Sequence, residues 1–118
     1  MNAPLRHESA SPRADLAWSE QFRIAAKRWV QADAAARLLE DTKSAVLAQR
    51  MAELGDMSVA KAESEVKASP EWHDFITKMI NARTEANLEK VKMEFVRMKF
   101  SEWQSAEASS RAELRLTR

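Results

Sequence analysis

The stretch VKMEFVRMKFSEW, Val91 to Trp103, decides how this chain is read, because its apolar residues occupy more circumference than one neighbouring helix covers. With Leu88 at the origin of a helical wheel and about 100° per residue, Leu88, Val91, Phe95 and Met98 form one row. Met93, Val96, Phe100 and Trp103 form a second row, about 60° to 140° further round. Lys90, Glu94, Arg97, Ser101 and Gln104 take the opposite side. The apolar arc is about 220° wide, against about 100° for an ordinary surface helix. One row packs on a helix of the same chain, and the other calls for a second protomer or a different protein. Lys92 and Lys99 fall between the rows, where their aliphatic stems let them snorkel. Upstream, Phe75, Met79, Ala82 and Ala86 extend the second row, and Trp72 and Ile76 widen it.

Working back from that stretch, Ser69-Pro70-Glu71 supplies an N-cap, a proline where the helix needs no N–H, and an acidic residue in the first turn. A helix is predicted over about 70–116. Gly55-Asp56-Met57-Ser58 is a turn, with Gly55 as the left-handed residue closing one helix and Ser58 capping a short one over about 59–68. That short helix is highly charged and is expected to bury little. Before Gly55 the pattern is helical over about 12–54, starting at Ser11-Pro12 or at Asp15. Phe22, Trp29 and Ala36 recur every seven positions, with Ala25, Ala32, Leu39 and Val46 interleaved, so the seam is rich in alanine and admits a close neighbour. Lys43 and Arg50 continue the Phe22 series and interrupt it. Residues 1–11 are polar and read as a flexible N-terminal tail.

One glycine and three prolines in 118 residues, with helix formers plentiful, define an all-α chain. The expected fold is two long antiparallel helices forming a hairpin with a short linking helix, within a single helical domain over 12–118. A two-helix hairpin covers only one stripe of each helix, so completion by dimerisation or by a partner is expected.

The same composition argues against catalysis. There is no cysteine, which excludes disulfides, a thiolate nucleophile and thiolate metal ligands. His7 lies in the tail, and His73, beside Glu71 and Asp74, has no second histidine one turn on, so no metal site is expected. The acidic clusters Glu40-Asp41 and Glu63/Glu65 have no pocket-forming loop nearby and read as solvated faces. One glycine makes no phosphate loop. We expect no enzyme activity and no cofactor. No signal segment and no run of ~20 apolar residues is visible, so the expected location is the cytoplasm.

Net charge is +1, so any pull on nucleic acid is local. Arg23, Lys27 and Arg28 cluster near Trp29, and Arg111, Arg115 and Arg118 form a positive row at the end of the last helix. Lys90, Lys92, Arg97 and Lys99 alternate with Glu89, Glu94 and Glu102, the pattern of a solvated face. Arg23, Lys27, Arg28 and Arg115 are the candidate nucleic-acid contacts. The candidate partner-binding set is Phe95, Met98, Phe100 and Trp103 as anchors, with Arg97, Lys99 and Arg111 at the polar rim.

The segments ASPEWHDFITKM and KVKMEFVRMKFSEWQSAEASSRAELRL resemble small helical proteins from the early regions of tailed bacteriophages, which often sit near recombination genes. The resemblance covers about Ser69 to Leu116, and RMKFSEWQSAEASSRAEL is its most distinctive run. It implies a phage or prophage protein made early in infection and acting by binding in host cytoplasm. Some proteins of that class inhibit host defence, including CRISPR complexes, and others assist recombination or single-strand DNA handling. Three readings stand: a module that binds and modulates a host nucleic-acid-processing complex, a nucleic-acid-binding accessory of recombination, and a purely structural helical dimer.

Overall fold

A computed structural model describes residues 17–117. The described chain is all-helical: α1 spans Trp18–Ala52, α2 Val59–Lys67 and α3 Pro70–Leu116. The proposed helix start at Ser11-Pro12 or Asp15, the tail, His7 and Arg118 lie outside the described residues.

The helix ends are set locally. Ser58 takes an extended backbone and its Oγ accepts from Lys61 N–H at 3.2 Å, which caps α2. Ser69 does two jobs at the α2–α3 junction. Its hydroxyl donates to the Val66 carbonyl at 2.6 Å and accepts from Trp72 N–H at 3.2 Å, directly before Pro70 opens α3. α1 stops at Ala52, two residues short of the expected Leu54, because the N–H groups of Leu54 and Gly55 turn back to Met51 and Ala52 in a tighter last turn. Gly55 follows at φ +78°, the left-handed conformation that only glycine adopts without strain.

The described chain falls into two compact units, one of residues 17–29 with 88–117 and one of residues 30–87. In the second unit the buried positions are Ala36 on α1, Ala62 and Val66 on α2, and Trp72 and Ala86 on α3. Trp72 stacks on Phe75 with ring centres 5.6 Å apart. The expectation that α2 buries little is corrected here: Ala62 and Val66, four residues apart on one face, are 4% and 5% exposed. Four charged residues, Lys61, Glu63, Glu65 and Lys67, stand around these two and hide this narrow face in a residue count. Ala36 and Ala86 are fully buried, as an alanine seam requires, and Lys43 and Arg50 are exposed.

An ionic network ties α1 to α3 in this unit. Arg83 donates Nε and Nη2 to the two carboxylate oxygens of Glu40, at 2.8 and 2.9 Å, and Nη1 to Asp33 at 2.8 Å. Asp33 also pairs with Arg37 at 2.9 Å. Asp33 and Glu40 stand seven positions apart, so they share a face of α1. Glu40 is thus a half-exposed acid held in an ion pair rather than the unpaired surface charge its sequence neighbourhood suggests, and Asp41 beside it is exposed.

In the first unit the start of α1 lies beside Phe100 and Trp103, and Trp29 lies beside Lys90. Gln21, Ala25, Glu89 and Val96 are buried here. Beyond Phe100 every described residue of α3 is exposed.

Candidate functional site

The two rows of α3 have different fates in the first unit. Glu89, Met93, Val96 and Phe100, spaced four, three and four apart, turn inward, with Val96 only 2% exposed. Leu88, Val91, Phe95 and Met98, spaced three, four and three, turn outward and are 53%, 61%, 55% and 59% exposed. At 100° per residue the centres of the rows are about 150° apart. The outward row thus lies almost opposite the face that α1 covers.

Lysines border this outward row. Lys99 places its Nζ 5.7 Å from the centre of the Phe95 ring and 3.4 Å from the Glu102 carboxylate. Lys92 reaches 3.5 Å from Glu89 Oε2. Both use long apolar stems along the row and keep their charge at its edge. Glu94 and Ser101 border the other side at about 240° and 220° on the same wheel.

The remaining expected anchors sit elsewhere. Phe100 ends the inward row, and Trp103, three residues on, is 48% exposed; the two stack with centres 6.0 Å apart and with Ala17, Trp18 and Ser19 line an open, mainly apolar cleft of about 370 Å³. Arg97 is exposed on the side of α3 away from both rows. Arg111 is exposed about 20 Å further along the helix axis than Met98, at 1.5 Å per residue. Of the expected rim, Lys99 alone is beside the outward row.

The candidate nucleic-acid contacts are not one patch either. Arg23 is bound to Glu20, its Nε lying 3.0 and 3.2 Å from the two carboxylate oxygens. Hydrogen bonding from Arg23 lowers the Glu20 pKa, and the same bond raises that of Arg23. Lys27 is exposed and Arg28 half-buried on α1, while Arg115 is exposed in the last turn of α3. Lys90 places its ammonium 5.7 Å from the Trp29 ring centre.

Leu88 and Val91 complete the outward row but were not among the expected anchors. Their three-and-four spacing to Phe95 and Met98 was the available signal. Trp18, in the cleft wall, had no such signal, since its meeting with Trp103 joins residues far apart in sequence. The sequence places Glu89 among the charges of a solvated face, yet it occupies an inward position. It is buried, and its Oε1 has no hydrogen-bond partner.

Among the described residues, no group of three or more His, Asp or Glu side chains is placed to hold a metal ion, and His73 is exposed. No helix among them is long and apolar enough to cross a membrane. Comparison with protein-family models, with curated proteins and with solved structures gives no match to this chain.

Proposed function

We propose that this protein is a non-enzymatic docking module, an antiparallel helical hairpin that recognises another protein through the outward face of α3. One observation carries this reading: Leu88, Val91, Phe95 and Met98 are each more than half exposed, in a single row. Scattered exposed apolar side chains need no explanation, but a contiguous row on a regular helix presents the stripe by which helices enter helix–helix interfaces. Phe95 is the central anchor, with Met98 adapting to the partner's shape.

The resemblance to phage early-region proteins supplies the setting of the proposal. There the module acts in host cytoplasm and binds or modulates a host nucleic-acid-processing complex, for instance one of the CRISPR type. Affinity capture from host cells with the intact protein and with Phe95→Asp tests this. A component of such a complex retained by the first and lost with the second supports the reading; equal retention removes the α3 row from it.

A second reading, direct binding of single-stranded nucleic acid, is favoured by the exposed Arg97, Arg111 and Arg115 on α3. Salt separates the two. Phosphate contacts weaken steeply as ionic strength rises, whereas apolar docking does not.

A further inference from the structure

The outward row of α3 follows a heptad. Taking Leu88 and Phe95 as positions a, Val91 and Met98 become d, Glu94 becomes g, and Lys92 and Lys99 become e. The flanks therefore differ in sign: both e positions are basic, while g carries Glu94 and the uncharged Ser101. That difference distinguishes the two ways in which a pair of identical helices can meet. In a parallel pair, g of one helix faces e of the next heptad on its neighbour, which sets Glu94 against Lys99 of the second copy, twice by symmetry. In an antiparallel pair, e meets e and g meets g, which sets Lys92 near Lys92 and Glu94 near Glu94.

The geometry points to a second copy of this chain as the occupant of the row, docked parallel and in register through Leu88, Val91, Phe95 and Met98. This inference rests on the docking reading above and names its partner. Room for the second copy exists, because the row lies about 150° round α3 from the face that α1 covers in the same unit. Lys99 is already placed for it: its ammonium stands at the edge of the row over Phe95, and its bond to Glu102 is a long surface pair at 3.4 Å that Glu94 of the second copy competes with. A g-to-e pair also fixes register, since a shift of one heptad sets Glu94 against Lys92 or Ala106 and leaves half the apolar row uncovered.

The full chain has no cysteine, so one introduced thiol reports orientation cleanly. In the parallel register Leu88 faces Leu88, whereas antiparallel packing separates the two by about 15 Å along the axis. Sedimentation equilibrium of the purified chain is expected to show a concentration-dependent dimer. Mild oxidation of Leu88→Cys is expected to give a disulfide-linked dimer, with Arg97→Cys, on the far side of the helix, not cross-linking under the same conditions. Glu94→Lys or Lys99→Glu alone is expected to weaken association about five-fold, and the double exchange to restore it. A chain that stays monomeric throughout, or a dimer in which Leu88→Cys does not cross-link or the double exchange does not rescue, overturns the proposal. Phe95→Asp is expected to abolish the dimer with helical content kept by circular dichroism, because Phe95 is exposed within its own chain. A monomeric chain that still loses a heterologous partner through Phe95→Asp defeats the second-copy assignment and leaves the docking reading intact.

Discussion

Arg83 on α3 holds Glu40 on α1 through two parallel hydrogen bonds, Nε to Oε2 at 2.8 Å and Nη2 to Oε1 at 2.9 Å. The two residues are 43 positions apart in the chain, and the fork of the guanidinium matches the carboxylate in a way that a lysine ammonium does not. Asp33 takes the third donor at 2.8 Å, so one arginine satisfies two acids that would otherwise repel each other on the same face of α1. Arg83→Ala is expected to lower the melting temperature, and Arg83→Lys to recover only part of the loss. Equal melting of Arg83→Lys and the natural chain would remove the fork from the stability of this unit.

The same pair gives a pH dependence with a definite sign. Hydrogen bonding from Arg83 holds the Glu40 carboxyl below its ordinary range, outweighing the opposing effect of burial, and the arginine charge adds to it. A carboxyl whose pKa is lowered on folding stabilises the fold above its unfolded value, about 4.3 for glutamate. That contribution disappears as pH falls through the lower folded-state value. Urea unfolding is expected to show the natural chain losing more stability than Arg83→Ala as the pH falls from about 5 to about 3, since the variant has less of this linkage to lose. Parallel acid profiles for the two chains would contradict it.

Glu89 is buried at an inward position, with Oε1 unbonded and Oε2 no closer than 3.5 Å to Lys92. A buried acceptor without a donor costs about 1–3 kcal/mol, and apolar residues of similar size often replace such groups with a gain. Glu89→Met is expected to raise unfolding free energy by about 1–2 kcal/mol, as measured by denaturant titration. A loss of stability would mean that the carboxylate is held by a partner after all.

Ala36 on α1 and Ala86 on α3 are fully buried in the same unit, so a larger side chain at either must be taken up by the packing around it. Ala86→Leu is expected to cost about 1–3 kcal/mol through overpacking. Ala34→Leu, at an exposed position on α1, is the control and should change stability by less than about 0.5 kcal/mol.

Phe95 and Val96 are adjacent in sequence yet 55% and 2% exposed. Val96→Ala is expected to destabilise the monomer by about 1–2 kcal/mol. Phe95→Ser should leave monomer stability within about 0.5 kcal/mol, measured at a concentration too low for association. A reversed order would mean that α3 is rotated relative to the described packing.

Gly55 has open space where a Cβ would go, but its φ of +78° is strained for any residue with a side chain. Gly55→Ala is therefore expected to cost about 1 kcal/mol through backbone strain alone, and Gly55→Asn less, since asparagine tolerates this conformation better. Thermal melts of the two variants check the order.

Much of the secondary structure was legible because the signals are local. Ser58 caps α2 through a residue three positions on, Ser69 and Pro70 open α3, and Gly55 closes the turn after α1. Each of these depends on neighbours within a few residues, where spacing in sequence is spacing in space. The two apolar rows of α3 were legible for the same reason, and so was the excess of apolar surface on it. The α2 face failed because two small apolar residues among charges carry too little periodic weight to be noticed. The Arg83 network failed differently: Asp33, Glu40 and Arg83 look like three ordinary surface charges until the packing of two helices brings them together.

By itself, then, the sequence determined the helical character of the described residues and the two apolar rows on α3, since hydrogen bonding and side-chain period act over a few residues. Only the tertiary structure decided that Val96 faces in and Phe95 faces out, that Glu89 is buried, and that Arg83 is shared between two acids on α1. The physical reason is that either row of α3 satisfies the helix equally well. Which row is buried depends on where α1 meets α3, a property of two distant segments together and of neither alone.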